Sequence, residues 1–281
     1  MEHLSVSTIN QTEATLTDIM PRLEGLPNEH AIIFSHQSDE RIAALPSRLS
    51  LVENEEYRKG REDSIHDVWF ADAVISSDSG TSLSQLPVAI KPYKEMFQIL
   101  AGRDYETSAE LNRIEGAERR ITFSHVGFMR DHGGTLNTLT VFEEGVTSCD
   151  NLLFNPERTS DDVYIALTLS AESLLFLHGE AGMTHGDFLP RNSAYGSDLR
   201  PRIIDVTTVK KSDNPDEYVD DLTRFMLGAQ DERVHEDLRV PNEAIAEFLL
   251  DKYRAGAKET LPSSVRKEVL GKVGCLLSSL G

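Results

Sequence analysis

Cysteine is nearly absent. The chain of 281 residues has two, Cys149 and Cys275, too few for a disulfide framework and without the CxxC or Cys/His spacing of a structural zinc site. A reducing, cytoplasmic setting is expected. No apolar run approaches the ~18 residues of a membrane span, and the opening MEHLSVSTINQTEATLTD lacks the basic and then apolar regions of a secretory signal. Neither secretion nor a membrane partner is expected. Basic residues are also in deficit: 28 Lys and Arg stand against 47 Asp and Glu, a formal net charge of −19. Nonspecific binding to a phosphate backbone would work against that mean field, so no nucleic-acid partner is expected. Internal repeats of about 20–50 residues and low-complexity tracts are missing as well. What remains is 39% apolar and 27% charged, with 18 Gly and 11 Pro, the balance of a globular chain with a real core.

Hydropathy changes character along the chain. A short amphipathic helix is predicted over Thr12 to Leu26 from the spacing of Leu16, Ile19, Met20 and Leu23, with Pro21 expected to kink or end part of it. Residues 1–30 otherwise read as an N-terminal extension. Strands are expected at Ala31–Phe34, Asp67–Ile75, Leu86–Tyr93, Thr122–Met129 and Thr135–Phe142, with one helix over Asp104–Arg119. Residues 31–143 are thus read as a β-rich lobe. After Glu144 helical spacing dominates, in Ser160–His178, Asp220–Leu227, Asn242–Ala255 and Ser263–Leu280, which makes 144–281 a helical lobe.

The most informative segment is His185-Gly186-Asp187-Phe188-Leu189-Pro190-Arg191-Asn192, followed by Arg202-Ile203-Ile204-Asp205. An Asp, an Asn five residues later and a second Asp after an apolar strand provide what phosphoryl transfer needs. One carboxylate orients an attacking hydroxyl, while an amide and a second carboxylate are hard oxygen donors suited to Mg²⁺. On these residues the sequence resembles the protein-kinase-like superfamily, and HGD, in place of a central arginine, is similar to its aminoglycoside phosphotransferase and choline kinase branch. Further elements occur in the same order. Pro87-Val88-Ala89-Ile90-Lys91 ends a predicted strand, and Glu106 and Glu110 follow Lys91 by 15 and 19 residues. Leu139-Thr140-Val141-Phe142-Glu143-Glu144-Gly145-Val146 runs from an apolar strand into acidic residues.

The resemblance implies an α+β, two-lobed protein-kinase-like fold, with an antiparallel five-stranded N-lobe carrying one helix and a mostly helical C-lobe. It implies that Lys91 contacts the phosphates of ATP and is held by Glu110 or Glu106. Phe142, Glu143 and Val146 would line the adenine site, and Asp150 would reach the ribose. Asp187 would orient the acceptor, and Asn192 and Asp205 would hold Mg²⁺. Arg191 is either close to the transferred phosphoryl group or a surface cation. The sequence departs from the family's pattern in lacking a G-x-G-x-x-G loop, for which Tyr57-Arg58-Lys59-Gly60-Arg61 is the nearest substitute. Asp205 is followed by Val206-Thr207.

The implied activity is transfer of a phosphoryl group from ATP to a hydroxyl of a small molecule; an atypical, RIO-like protein kinase and a noncatalytic nucleotide-binding pseudokinase are the alternatives. Only 15 residues separate Asp205 from Asp221, which favours a compact acceptor over an extended peptide. The acidic residues Asp213, Asp216, Glu217, Asp220 and Asp221 would favour a cationic one.

Overall fold

The run Ala31-Ile32-Ile33-Phe34 is apolar at every position, so both faces of the strand it forms must be covered. The computed structural model of the protein meets that demand with a closed barrel inside and helices outside. It describes residues 2–10, 15–35, 48–53, 68–77, 79–80, 82–94, 97–115, 121–141, 146–154, 157, 159–196, 198–229 and 242–280. The chain divides into two units, residues 1–109 with 123–143, and residues 110–122 with 144–281.

The first unit contains β1 (Glu2–Asn10), α1 (Leu16–Glu24), β2 (His30–Ser35), β3 (Arg48–Glu53), β4 (Trp69–Ser76) and β5 (Ser82–Tyr93). It continues with α2 (Gln98–Glu115), whose last turns belong to the second unit, and with β6 (His125–Arg130) and β7 (Leu136–Val141). The strands close in the order β1-β2-β6-β7-β5-β4-β3. Ala31 and Ile33 join Leu4, Leu49, Val88 and Leu139 in the barrel interior. Ile32 and Phe34 point the other way, onto Ile19 and Leu23 of α1 and Tyr105 of α2. Where β6 passes β2 the backbones approach so closely that a Cβ on Gly127 would collide with the Ile32 carbonyl oxygen.

This barrel overturns the expected fold class. In place of a two-lobed kinase-like fold with an open, antiparallel N-lobe, seven strands close on themselves and the sheet is mixed. β1 runs parallel to β2, with Ser5 opposite His30, and antiparallel to β3, with Leu4 opposite Leu49. Neither β1 nor β3 is evident from hydropathy. Leu4 and Val6 are separated by serine in an otherwise polar segment, and a period of two over so few residues carries little signal. Their pairing is decided by neighbours distant in sequence. The parallel crossover is α1, which starts from a reciprocal cap between Thr15 and Asp18 and runs through Pro21. Proline there removes only the hydrogen bond to the Thr17 carbonyl, and Thr17 is exposed, so water replaces it.

The second unit holds α3 (Cys149–Phe154), α4 (Ser160–Leu175), α5 (Pro215–Ala229), α6 (Asn242–Thr260) and α7 (Ser263–Leu280). With α1 and α2 these make seven α-helices among the described residues. Short strands β8 (Thr147–Ser148), β9 (Met183–Thr184), β10 (Ser193–Tyr195), β11 (Pro201–Ile203) and β12 (Lys210–Lys211) sit beside them. A core of Leu167, Leu174, Phe188, Leu222, Phe225 and Leu249 joins α4, α5 and α6. Crossing of α4 and α6 depends on Gly256, where a Cβ would collide with Leu175. Among the described residues no helix is long and apolar enough to cross a membrane.

Candidate active site

The segment 185–192 connects β9 to β10, and α5 fixes it almost residue by residue. Positions 221, 224, 225 and 228 share one face of a helix with a 3.6-residue period. Asp221 accepts the backbone N–H groups of His185 (2.7 Å) and Gly186 (2.8 Å). Arg224 Nη1 stands 3.8 Å from Asp187 Oδ1. Phe225 packs on Phe188 with ring centroids 5.6 Å apart. At Gly228 a Cβ would meet Pro190 Cδ at 2.7 Å, so only glycine lets the loop sit this close. Gly186 itself has φ +78°, a conformation that glycine adopts without steric cost.

Beneath the loop lies a buried polar network. His178 Nε2–H donates to Asp221 Oδ2 (3.2 Å), and the Tyr253 hydroxyl donates to His178 Nδ1 (2.7 Å). The His178 ring stacks on Tyr218 at 4.2 Å. His185 donates from Nε2 to the Ile204 carbonyl (3.1 Å), and its Nδ1 accepts the Asp187 N–H (3.3 Å). Both rings are therefore neutral Nε2–H tautomers. Burial holds both histidines below the ordinary value, outweighing the opposing pull of Asp221 on each. Burial alone would raise the Asp221 carboxyl; the hydrogen bonds from His178, His185 and Gly186 overcome it and hold that carboxyl below its usual range.

A pH dependence follows. The unfolded chain protonates its histidines near the ordinary value of about 6.5, before His178 and His185 do so in the fold. Stability of this unit is therefore expected to be full above about pH 7 and to fall below about pH 6.5, by up to about 2.7 kcal/mol per pH unit for the two groups. The Asp221 contribution has its window lower, being lost only below about pH 4, the ordinary carboxyl value. Denaturation midpoints measured between pH 5 and 8 check this; a flat profile would contradict the buried neutral state.

The hairpin of β10 and β11 brings the second half of the site together. Ile204 N–H donates to the Asn192 carbonyl (2.8 Å), so Asp205, the next residue, leaves the hairpin beside Asn192. Asn192 is 4% exposed and spends its Nδ2 on Asp187, 2.8 Å to the carbonyl and 3.4 Å to Oδ2. Its Oδ1 remains as an oxygen donor. Asp205 has φ 55° and ψ 61°, a left-handed conformation that Asp and Asn visit more readily than other side chains. Thr207 Oγ1–H donates to Asp205 Oδ1 at 2.8 Å. No cluster of three His, Cys, Asp or Glu side chains able to hold a metal occurs among the described residues. The amide oxygen of Asn192 with the Asp205 carboxylate nonetheless suits Mg²⁺, which takes one or two protein oxygens and completes its shell with phosphate and water.

Asp187 is half-buried and flanked by two guanidinium groups. Arg191 Nη2 is 3.6 Å from Oδ2, on the side opposite Arg224. The sequence reading included Arg191 but missed Arg224. Its only signal was the i, i+3 spacing from Asp221, which acquires meaning once α5 is known to face the loop.

The lysine half of the constellation lies in the first unit and differs from expectation. Lys91 Nζ is 3.9 Å from Asp104 Oδ2, neither Glu106 nor Glu110 serving as that partner, and Asp104 also accepts the Tyr93 hydroxyl at 2.8 Å. The reason is which face of the helix packs inward. With α2 starting at Gln98, Asp104 lies within it, and the buried stripe is Ala101, Asp104, Tyr105, Ser108 and Leu111. Glu106 is consequently exposed, and Glu110 pairs with Lys211 at 2.9 Å. Phe142, Glu143 and Tyr57–Arg61 lie outside the described residues. Val146 and Asp150 are half-buried in the second unit, Asp150 in the first turn of α3.

The acidic run around α5 is less available than its composition suggests. Asp221 is fully buried, Asp216 pairs with Lys272 (2.6 Å) and Glu217 with Lys210 (2.8 Å). Only Asp213 and Asp220 remain to attract a cation. No family model and no curated protein matches this chain.

Proposed function

We propose that the protein is an ATP- and Mg²⁺-dependent phosphotransferase acting on an alcohol hydroxyl of a small molecule. The observation that carries this reading is the preorganised loop: Asp187 is half-exposed on a backbone anchored by Asp221, beside Asn192 and the left-handed Asp205. Asp187 accepts the hydrogen bond of the acceptor hydroxyl, aims its oxygen at the phosphorus and takes the proton late. Asn192 Oδ1 and the Asp205 carboxylate hold Mg²⁺, which when bound neutralises charge on the phosphate oxygens. Arg191, at the rim, offsets the charge that develops on the transferred group. The sequence resemblance to aminoglycoside phosphotransferase and choline kinase-type enzymes agrees with these roles.

A small acceptor is supported by the connection after Asp205. Val206–Thr208 form one tight turn, Lys210–Lys211 pair with β9, and α5 begins at Pro215. No length is left for a peptide platform. Free Cys275, exposed to solvent, suits a reducing cytoplasmic compartment. The decisive assay is Mg²⁺-dependent turnover of ATP with a broad panel of alcohols, comparing the wild type with Asp187→Asn. We expect transfer to a small alcohol and a loss of about 10²-fold or more in the variant. Turnover confined to protein hydroxyls would replace the acceptor class, and turnover undiminished in the variant would remove Asp187 from the mechanism.

In the same reading Lys91 aligns the nucleotide phosphates, and its carboxylate partner is Asp104. Asp104→Asn is expected to weaken nucleotide binding about 10-fold, with Glu106→Gln and Glu110→Gln within about twofold of wild type, since neither contacts Lys91. Calorimetric titration of Mg²⁺-ATP into the three variants distinguishes them. An equal loss in Glu110→Gln would restore the glutamate pairing.

A further inference from the structure

The cations at Asp187 come from two elements, the loop and α5. Two guanidinium groups face one carboxylate, each toward a different oxygen, at 3.6 and 3.8 Å. A charge-assisted hydrogen bond closes to about 2.7–2.9 Å, so neither arginine is consumed by Asp187. Both remain half exposed, Arg191 at 48% and Arg224 at 52% of the side chain. Their positions are not those of free surface cations. Arg191 belongs to the tight turn Pro190–Asn192, and Arg224 is carried on the face of α5 that Asp221 and Gly228 lock onto the loop. The protein as a whole is strongly acidic, with a net charge of −19, so two cations converging on one carboxylate stand out against the mean field.

Phosphoryl transfer accounts for one of these cations. Arg191, within the loop itself, meets the charge that develops on the transferred group. The second has no role in that scheme, and it approaches Asp187 from the helix side, at the oxygen opposite the one Arg191 faces. We propose that the acceptor alcohol carries an anionic group, a carboxylate or a phosphate, and that Arg224 receives it while Asp187 orients the hydroxyl. This rests on the phosphotransferase reading and deepens it by naming the acceptor class. The planar guanidinium is suited to both anions because its paired donors match two anionic oxygens in one plane. Asp216 and Glu217 are already paired with lysines, which leaves exposed Asp220, one turn before Arg224 on α5, as the carboxylate of that run nearest the proposed anion in sequence.

The test uses two matched sets of alcohols with the full-length protein. Glycerol, 2-amino-1,3-propanediol, glycerate and glycerol 3-phosphate form the first; glucose, glucosamine, gluconate and glucose 6-phosphate form the second. In the wild type, kcat/KM is expected to be at least about 10-fold higher for an anionic member than for its neutral counterpart. Arg224→Gln should cost the anionic substrate about 10- to 100-fold, the range expected for loss of one charge-assisted hydrogen bond. The neutral alcohol should lose far less, and Arg224→Lys should recover part of the preference. The carboxylate and phosphate arms identify which anion is taken. A wild-type preference for neutral or cationic alcohols, or equal losses for all members in Arg224→Gln, overturns the proposal.

A second readout needs no turnover. The Arg224 Nε–H resonance, assigned by its disappearance in Arg224→Lys, should shift on titration with glycerate or glycerol 3-phosphate and not with glycerol. Shift without any Mg²⁺-ATP hydrolysis would retain the anion site and discard the phosphotransferase. Phosphoryl transfer with a silent Arg224 would do the reverse.

Discussion

Asp221→Ala is expected to destabilise the second unit by about 3–5 kcal/mol, because buried donors are left without an acceptor. Three donors lose their acceptor at once: the backbone N–H groups of His185 and Gly186, and the Nε2–H of His178. Each unsatisfied buried donor costs about 1–3 kcal/mol. Against a total stability of about 5–15 kcal/mol for a domain, this is a large fraction. Asp221→Asn should be only partly better. It preserves the shape, but one oxygen becomes an amide NH₂ that must face a donor. Thermal unfolding gives the magnitude, and hydrogen exchange at the amides of His185 and Gly186 gives the location. Near-native protection of those two amides in the alanine variant would show that the loop does not depend on α5.

Asp205→Asn is expected to have a large effect on turnover and a small one on the fold. Removing a carboxylate that would hold the charge-neutralising Mg²⁺ is expected to cost about 4 kcal/mol of barrier, roughly 10³-fold in rate. The backbone is a reason to choose asparagine over alanine. At φ 55° asparagine is tolerated nearly as well as aspartate, and its Oδ1 can still accept the Thr207 hydroxyl. Unfolding of the variant should thus stay within about 1 kcal/mol of wild type. Steady-state turnover over a range of Mg²⁺ concentrations checks the role, since a metal ligand should show a raised Mg²⁺ requirement. Unchanged turnover at low Mg²⁺ would remove Asp205 from the metal site.

Much of the local structure could be read from residue order alone. The strands expected at Asp67–Ile75 and Leu86–Tyr93 carry β-branched and alternating residues and are found at Trp69–Ser76 and Ser82–Tyr93, the second starting four residues earlier in a serine-rich stretch; the helices after Glu144 carry an apolar stripe, so short-range periodicity located both. The spacing His185, Asp187, Asn192 and Asp205 likewise directed attention to one loop and one hairpin, because the chemistry of hard oxygen donors and an orienting carboxylate is written in side-chain types. Closure of the barrel was not legible. β1 is a polar strand with few apolar positions, and only its contacts with His30–Ser35 and Arg48–Leu51, far away in sequence, make it part of the sheet. Non-local pairing of that kind leaves no period in either partner. The Lys91 partner failed for a related reason: which stripe of α2 is buried is set by what packs on the helix, and that stripe carries Asp104, whereas Glu106 is exposed and Glu110 pairs with Lys211. Arg224 was an ordinary helix cation until packing turned α5 toward the loop. The sequence by itself determined which residues can do chemistry at Asp187, because side-chain type sets donors and charge. Only the tertiary structure decided how many charges meet there, because the facing helix comes from a segment more than thirty residues away.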